Sequence, residues 1–235
     1  MKWRVQASSS EGKWRREVIG LLGLTACTGV LDAVSYLALD GVFTGNMTGN
    51  VLVVGFSLGG SQGSTLISGV TVLLTFVLGA FASGSALRAA KNAQRCAYRQ
   101  LLLGGVLMAI AGVVMLMTTR SQYLDMAFAA TLAVVMGVQG AAVRTLGNKN
   151  ITTIVVTSTL VRLGAEGMAA VLRKPRDFAE QLGAVLAMGI GALVGAVSVQ
   201  HILPGITVLI TGLVYLFVTV FLKKVFILPK QTGGV

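Results

Sequence analysis

Six long apolar segments constrain this chain more than any other feature of its sequence. They cover residues 18–39, 65–87, 101–117, 126–143, 182–199 and 203–222. Several have the roughly 20 residues that a helix needs to cross the hydrocarbon core of a bilayer. Only 11% of the 235 residues are charged, whereas a soluble domain has about 25%. The sequence therefore predicts an all-α polytopic membrane protein that forms a single membrane domain.

Two shorter apolar segments, 42–58 and 151–163, carry hydroxyl, amide or glycine residues and pose a question of topology. If only the six long segments cross and the N-terminus is cytoplasmic, 18 of the 19 Lys and Arg residues lie inside and only Arg120 lies outside. If the short segments also cross, the split is 13 to 6. Because basic residues gather in cytoplasmic loops, we expect re-entrant or broken short segments. We also expect both termini to be cytoplasmic, in a bacterial inner membrane.

A weak internal repeat divides the chain into two similar halves. G-V-L-D-A-V-S-Y-L from Gly29 matches G-V-Q-G-A-A-V-R-T-L from Gly137, and the two short segments match each other. L-G-A-F-A-S-G near Leu78 resembles I-G-A-L-V-G-A near Ile190. The three matches have offsets of 108, 109 and 112 residues and follow the same order in both halves. Three crossings per half would invert the second half, an arrangement typical of transporters with broken helices at the repeat interface. We therefore predict a basic tail (1–17), a first half (18–117), a second half (118–223) and a C-terminal tail (224–235).

Three blocks of residues resemble a known family. They are D-A-x-S-Y-L from Asp32, V-F-T-G-N-M-T-G-N-V from Val42, and R-T-L-G-x-x-x-x-T-T-x-V-V-T-S-T-L from Arg144. The chain resembles, over nearly its whole length, the YoaK family of bacterial inner-membrane proteins of unknown function. The resemblance implies a location and an architecture but no substrate. Gly140 departs from the family pattern, which leads us to expect an amide after Gln139.

Asp32 is the only Asp, Glu, Lys or Arg within the six long segments. A charge at such depth costs on the order of 3 kcal/mol or more unless partners or water surround it. One interpretation is a site that couples transport to a proton or cation, or that anchors a ligand. The other is a structural acid bonded to its neighbours. Ser35 and Tyr36 follow on the same helical face and are expected to share its hydrogen bonds. The approximate counterpart of Asp32 in the second half is Gly140 or Ala141.

The first short segment has a regular pattern if it is helical. Small and polar residues then recur every four positions in three rows: Gly41, Gly45 and Gly49; Thr44 and Thr48; Asn46 and Asn50. The functional interpretation is a broken helix whose end offers polar groups to a solute. The alternative is close helix packing through the glycines, with the amides as hydrogen-bonding partners.

The second short segment carries Thr153 and Thr157 on one helical face but no acid. Gln139 lies in the preceding span and completes the set of candidate solute- or ion-binding residues. Arg144 follows that span, where it either neutralises an anionic ligand or anchors the helix at the interface. We favour the anchor.

Composition and motifs narrow the function classes. A net charge of +11 is explained by cytoplasmic loops, so a nucleic-acid partner is not needed. A single histidine, His201, excludes a His-rich metal site. No P-loop or Cys/His ligand set is present, and we expect no cofactor. The lipid bilayer and a small molecule or ion are the expected partners, and a homo-oligomer stays open.

Three functions are compared on this basis. A small secondary transporter or permease, with Asp32 and the polar short segment at its site, is the leading hypothesis. A non-transporting membrane scaffold or sensor fits the same charge map and packing motifs. An intramembrane enzyme is disfavoured. The only histidine, a candidate partner for Ser83, lies near the end of a span, and an aspartyl mechanism needs two acids where the spans supply one.

Overall fold

The computed structural model describes residues 2–61, 66–146, 148, 151, 153, 157, 159–161, 164–165 and 173–223, with side chains from residue 11 onward apart from that of Leu146. Seven α-helices, and no strand, are delimited in this part of the chain. The helices are α1 (Lys2–Ala38), α2 (Met47–Leu58), α3 (Leu66–Ala89), α4 (Ala93–Met117), α5 (Gln122–Val143), α6 (Pro175–His201) and α7 (Pro204–Phe221), and a 3₁₀ turn (Arg144–Leu146) follows α5.

Six of the helices, all except α2, are long and apolar enough to span a bilayer, which confirms the predicted all-α membrane fold. Several begin earlier than the apolar segments do. The apolar window marks only the part of a helix that lies in hydrocarbon, whereas the polar turns beyond it stay helical. The 37 residues of α1 extend about 55 Å at a rise of 1.5 Å per residue, well beyond a core about 30 Å thick.

Local sequence signals set the starts of four helices. Asn92 and Ser121 precede α4 and α5, and their side chains accept hydrogen bonds from the backbone N–H groups of Arg95 and Leu124. Asn and Ser are favoured at this position because they satisfy N–H groups that lack a partner within the helix. Pro175 and Pro204 open α6 and α7, where a missing N–H has no cost.

Polar contacts define the two ends of the helix bundle. At one end, called here the Arg120 end, the Arg120 guanidinium donates to the Ala38 carbonyl and pairs with Asp125 at 2.9 Å. The Ser68 hydroxyl donates to Asp40 at the same end. At the opposite end, called here the Trp14 end, the Trp14 indole donates to Glu180.

These contacts show that α2 does not cross the bundle. The end of α1 and the start of α3 both lie at the Arg120 end, so the segment between them returns to the end that it left. The 12 residues of α2 extend only about 18 Å, too short for a core about 30 Å thick. Most of the second short segment, 151–163, lies outside the described residues.

Two helix crossings, each between a helix of the first half and a helix of the second, are built alike. A Cβ at Gly29 of α1 would collide with the Met188 carbonyl of α6, and one at Gly137 of α5 would collide with the Phe76 carbonyl of α3. Gly137 follows Gly29 by 108 residues, and Met188 follows Phe76 by 112. The absent side chains let the paired backbones approach closely.

The reverse contacts obey the same offsets. A Cβ at Gly191 of α6 would collide with Ala26 of α1, and one at Gly79 of α3 would collide with Val134 of α5. The remaining pair, α4 and α7, crosses with exchanged contacts as well, because Gly105 meets Leu216 and Gly212 meets Ala109. The helices of the two halves therefore pack in the same reciprocal pattern.

The apolar core lies where α1, α4, α5 and α7 meet. Its largest fully buried side chains are Leu21, Leu24, Leu31, Leu101, Met108, Leu132, Met136 and Tyr215. The outward faces of α3, α6 and α7 expose large apolar side chains, as expected of surfaces that face lipid.

Candidate functional site

Asp32 organises the loop between α1 and α2. It is six residues before the end of α1 and only 5% exposed. Its Oδ1 accepts hydrogen bonds from the Thr44 backbone N–H at 2.8 Å, from the Thr44 hydroxyl at 3.0 Å and from the Gly45 N–H at 2.6 Å. Its Oδ2 makes no hydrogen bond within 3.5 Å among the described residues, although the Asn46 backbone N–H also lies toward the carboxylate. The bonds to Oδ1 hold Thr44 and Gly45 of the loop against α1, inside the bundle.

Ser35 and Tyr36 do not share these bonds, contrary to the expectation from their helical spacing. The Ser35 hydroxyl is buried without a partner in the described part of the chain. Tyr36 instead stacks on Phe43, with ring centroids 4.7 Å apart. The donors come from the loop because backbone N–H groups without helical partners lie closer to the carboxylate than side chains on its own helix.

The expected row of Gly41, Gly45 and Gly49 is not a helical face, because α2 begins only at Met47. Gly41 has a positive φ of 69°, which turns the chain back toward the bundle and which glycine adopts at no steric cost. A Cβ at Gly45 would lie 2.8 Å from the Thr28 methyl group. The first two glycines therefore shape the loop.

Asn50 has a structural role in this loop. Its Oδ1 accepts from the Phe43 N–H at 2.8 Å, and its Nδ2 donates to the Phe43 carbonyl at 2.7 Å. Asn50 is buried and bonded through both ends of its amide, and it is not among the described residues that line the cavity at the start of α2. Asn46 caps α2 by accepting from the Gly49 N–H. The two amides thus fix opposite sides of the start of α2.

A cavity of about 870 Å³ begins at this helix start. Gly45, Asn46, Met47 and Thr48 lie at its inner end, and Arg88 and Arg144 lie where α3 and α5 finish at the Trp14 end. Its further lining residues include Phe76, Ala80, Gly137, Gly140, Ala141, Ile151, Thr153, Thr157, Val185, Met188 and Gly189. The size is in the range of ligand-binding pockets, about 300–1,000 Å³.

The predicted site residues divide between the cavity and its support. Asn46, Thr48, Thr153 and Thr157 line the cavity. The buried residues behind it are Asp32, Ser35, Thr44, Asn50 and Gln139.

Gln139 joins the two halves. Its Nε2 donates to the Thr28 hydroxyl at 3.1 Å, from α5 to α1. The hydroxyl of Thr28 donates in turn to the Leu24 carbonyl. Gln139 is fully buried and is not among the described residues that line the cavity, so it holds α5 against the helix that carries Asp32.

Two arginines outside the predicted set of site residues also line the cavity. They are Arg88 and Arg144, and for Arg144 the sequence favoured a helix anchor over contact with an anionic ligand. No Asp or Glu is among the described lining residues. No carboxylate lies within 4.0 Å of either guanidinium in the described part of the chain. The sequence held one signal for Arg144, since it lies four residues after Gly140, which with Ala141 is the expected approximate counterpart of Asp32 in the predicted repeat.

The described residues include Ser83, the serine considered for catalysis, and side chains of the types that bind metals. Ser83 donates to the Gln100 side chain at 2.7 Å, so its hydroxyl is not activated by a base there. No group of three or more His, Cys, Asp or Glu side chains close enough to hold a metal occurs among the described residues. Cys27 and Cys96 are both free thiols.

Comparisons with known proteins agree with this architecture. Residues 20–222 match the family described as "Protein of unknown function (DUF1275)". The chain is 30% identical, over 152 residues, to the UPF0700 transmembrane protein YoaK of Bacillus subtilis (strain 168). That match covers 64% of this chain and 66% of the relative. No solved structure matches significantly. The chain therefore belongs to the DUF1275 family of proteins of unknown function, as a multi-pass integral membrane protein.

Proposed function

We propose that this protein is a small secondary transporter that carries a solute through the cavity at the start of α2. The observation that carries the proposal is a cavity of about 870 Å³ whose lining extends from Arg88 and Arg144, at the ends of α3 and α5, to Asn46 and Met47 at the start of α2. A transporter needs a site inside the membrane that is open to one side at a time. A scaffold or sensor, the alternative function, needs no such cavity.

The other side of the site is closed by the loop that Asp32 holds. The stacked rings of Tyr36 and Phe43 lie in this closure. Arg120 ties the end of α1 to the start of α5 through the Ala38 carbonyl and Asp125. In the proposed cycle these contacts break when the Arg120 end opens and form again when it closes.

The reciprocal helix contacts support an inverted repeat, and with it the transporter. The crossings at Gly29 and Gly137, and those at Gly79 and Gly191, exchange partners between the halves at constant offsets. Such a pattern is expected of two units related by a two-fold axis in the membrane plane. Rocking one half against the other would then exchange the open end for the closed one.

Asp32 has the role of the coupling residue in this proposal. Its Oδ1 holds three donors, while its buried Oδ2 makes no hydrogen bond among the described residues. A bare carboxylate oxygen at this depth is costly. A proton or a small cation that binds there removes the cost and changes how firmly Asp32 holds the loop, which links ion binding to closure.

The direct test is transport by the purified full chain in proteoliposomes, with labelled carboxylates, amino acids, sugars and nucleobases as probes. We expect Asp32→Asn to keep exchange of the transported solute across the membrane but to lose its accumulation against a gradient. The matched control is Asp177→Asn, which changes an acid in the first turn of α6, away from the cavity. Equal accumulation by wild type and Asp32→Asn would remove Asp32 from coupling. The absence of flux above empty liposomes for every probe would contradict the transporter.

A further inference from the structure

Four residues of the first half have counterparts in the second half that line the cavity. At offsets of 108 and 109 residues, Asp32 corresponds to Gly140, Tyr36 to Arg144, Thr44 to Thr153 and Thr48 to Thr157. All four counterparts are among the lining residues. The cavity lining thus includes Gly140, the position that would hold an aspartate if the second half had the same residue as the first.

The first half indicates what chemistry that place accepts. There the Asp32 carboxylate is held by the Thr44 N–H, the Thr44 hydroxyl and the Gly45 N–H. In the second half glycine replaces the acid, and Thr153 replaces Thr44 and is buried. A carboxylate that the chain does not supply at Gly140 can be supplied by a solute.

The charge of the cavity favours the same ligand. Arg88 and Arg144 line it, and no acid does so among the described residues. A guanidinium binds a carboxylate through two parallel hydrogen bonds, a geometry that adds specificity as well as affinity. Arg144 lies one helical turn beyond Gly140, close enough to reach a group placed there.

The remaining walls suit an apolar body. The lining includes five large apolar residues, Phe76, Val143, Ile151, Val185 and Met188. Binding pockets commonly combine such walls with a few polar groups that fix the orientation of the ligand. A compact, highly hydrated anion would leave these walls in poor contact, whereas a solute with one carboxylate and an apolar body matches both parts.

We propose that the cavity binds a small monocarboxylate, whose carboxylate lies beside Gly140 between Arg144 and Thr153 and takes the place that Asp32 occupies in the first half. Its apolar body lies against the walls that α3 and α6 provide. This inference rests on the proposed function, since it names the class of solute that the transporter would carry.

The test measures binding in detergent, where no transport is needed. The variant Gly189→Cys places a thiol in the cavity wall, because Gly189 lines the cavity and a Cβ there meets no atom within 4 Å. The reactivity of this thiol shows whether the cavity is occupied. The background carries Cys27→Ala and Cys96→Ser. The readout is the rate of labelling by N-ethylmaleimide, an uncharged reagent. The probes are sodium benzoate, its uncharged isostere benzamide, and inorganic phosphate.

We expect benzoate to slow the labelling and benzamide and phosphate to have little effect. Arg144→Gln should raise the benzoate concentration needed for protection by about tenfold, as expected when a charge-assisted hydrogen bond is lost. The control Arg99→Gln removes an exposed arginine outside the cavity and should leave protection unchanged. Gly140→Asp should abolish protection, since the new carboxylate occupies the site itself, whereas Gly140→Ala should retain it.

Several results would overturn the inference. They are a cysteine that is never labelled, protection by benzamide equal to that by benzoate, equal protection by phosphate, and protection that survives both Arg144→Gln and Gly140→Asp. The labelling experiment measures binding and needs no transport. A negative labelling result therefore counts against the carboxylate site and leaves the proposed transport function to its own test. Protection without transport would contradict the transporter alone, and transport of an uncharged probe without protection would contradict the carboxylate alone.

Discussion

At the scale of single residues, the bonds that Asp32 accepts decide how the loop before α2 is held. Two of its three donors are backbone N–H groups, and the third is the Thr44 hydroxyl. A hydrogen bond to a charged group contributes about 1.5–3 kcal/mol, more than one between neutral groups. The Thr44 hydroxyl is the only one of the three donors that a side-chain substitution removes.

Thr44→Val tests this contribution, because valine keeps the shape of threonine without the donor. We expect the free energy of unfolding in detergent to fall by about 1–2 kcal/mol, since the buried carboxylate keeps only its backbone donors. Thermal unfolding of the purified protein measures the change. Ser35→Ala is the matched control, because the Ser35 hydroxyl is equally buried but has no partner among the described residues. A loss from Ser35→Ala as large as that from Thr44→Val would contradict the account.

At the scale of elements, small residues set how closely the helices of the bundle pack. The crossing of α3 and α5 puts the Phe76 carbonyl where a Gly137 side chain would lie. A backbone atom cannot move aside as a flexible side chain can. The same holds at the crossing of α1 and α6, where Gly29 faces the Met188 carbonyl.

Gly137→Val is expected to force α3 and α5 apart and to lower the free energy of unfolding by about 1–3 kcal/mol, the usual cost of overpacking. Gly29→Val should cost a similar amount, since its crossing is built alike. Gly189→Val serves as the control, because Gly189 is also helical but faces open space. Thermal unfolding of the three variants measures the difference. If Gly137→Val were as stable as Gly189→Val, the close crossing would be wrong.

Much of the fold could be predicted because its signals are local. The length of each apolar segment predicts one membrane-spanning helix, and the positions of Lys and Arg predict on which side each connecting loop lies. The six spans could therefore be predicted from the sequence. The glycine row failed because a period of four residues presumes a helix, whereas the bonds from Asp32 and Asn50 hold Gly41 and Gly45 in a loop. The hydrogen bonds that Asp32 accepts join residues 12 and 13 positions apart, a separation that a helical repeat of four residues does not predict.

The candidate site was predictable in the first half and much less so in the second. Asp32 is conspicuous because a charge within an apolar segment is rare. Arg88 and Arg144 lie at helix ends, where an arginine that anchors a helix at the interface and one that faces a cavity have the same sequence pattern. Only packing brings the ends of α3 and α5 together around one space.

At the scale of the whole molecule, the proposed transporter requires a cavity that water reaches from the Trp14 end and that is closed toward the Arg120 end. The described lining reaches from Arg144 to the start of α2. Tyr123, at the Arg120 end, is 82% exposed and marks the opposite surface. A cysteine at each position can report which side of the membrane reaches it.

The measurement is labelling of Gly189→Cys and Tyr123→Cys by a membrane-impermeant maleimide, in right-side-out and in inside-out vesicles, with both native cysteines replaced. We expect each cysteine to react in one vesicle orientation and the two to react in opposite orientations, with Gly189→Cys labelled from the side that carries the Trp14 end. Labelling of Gly189→Cys from neither side, or from the same side as Tyr123→Cys, would contradict the cavity and the topology on which the account depends.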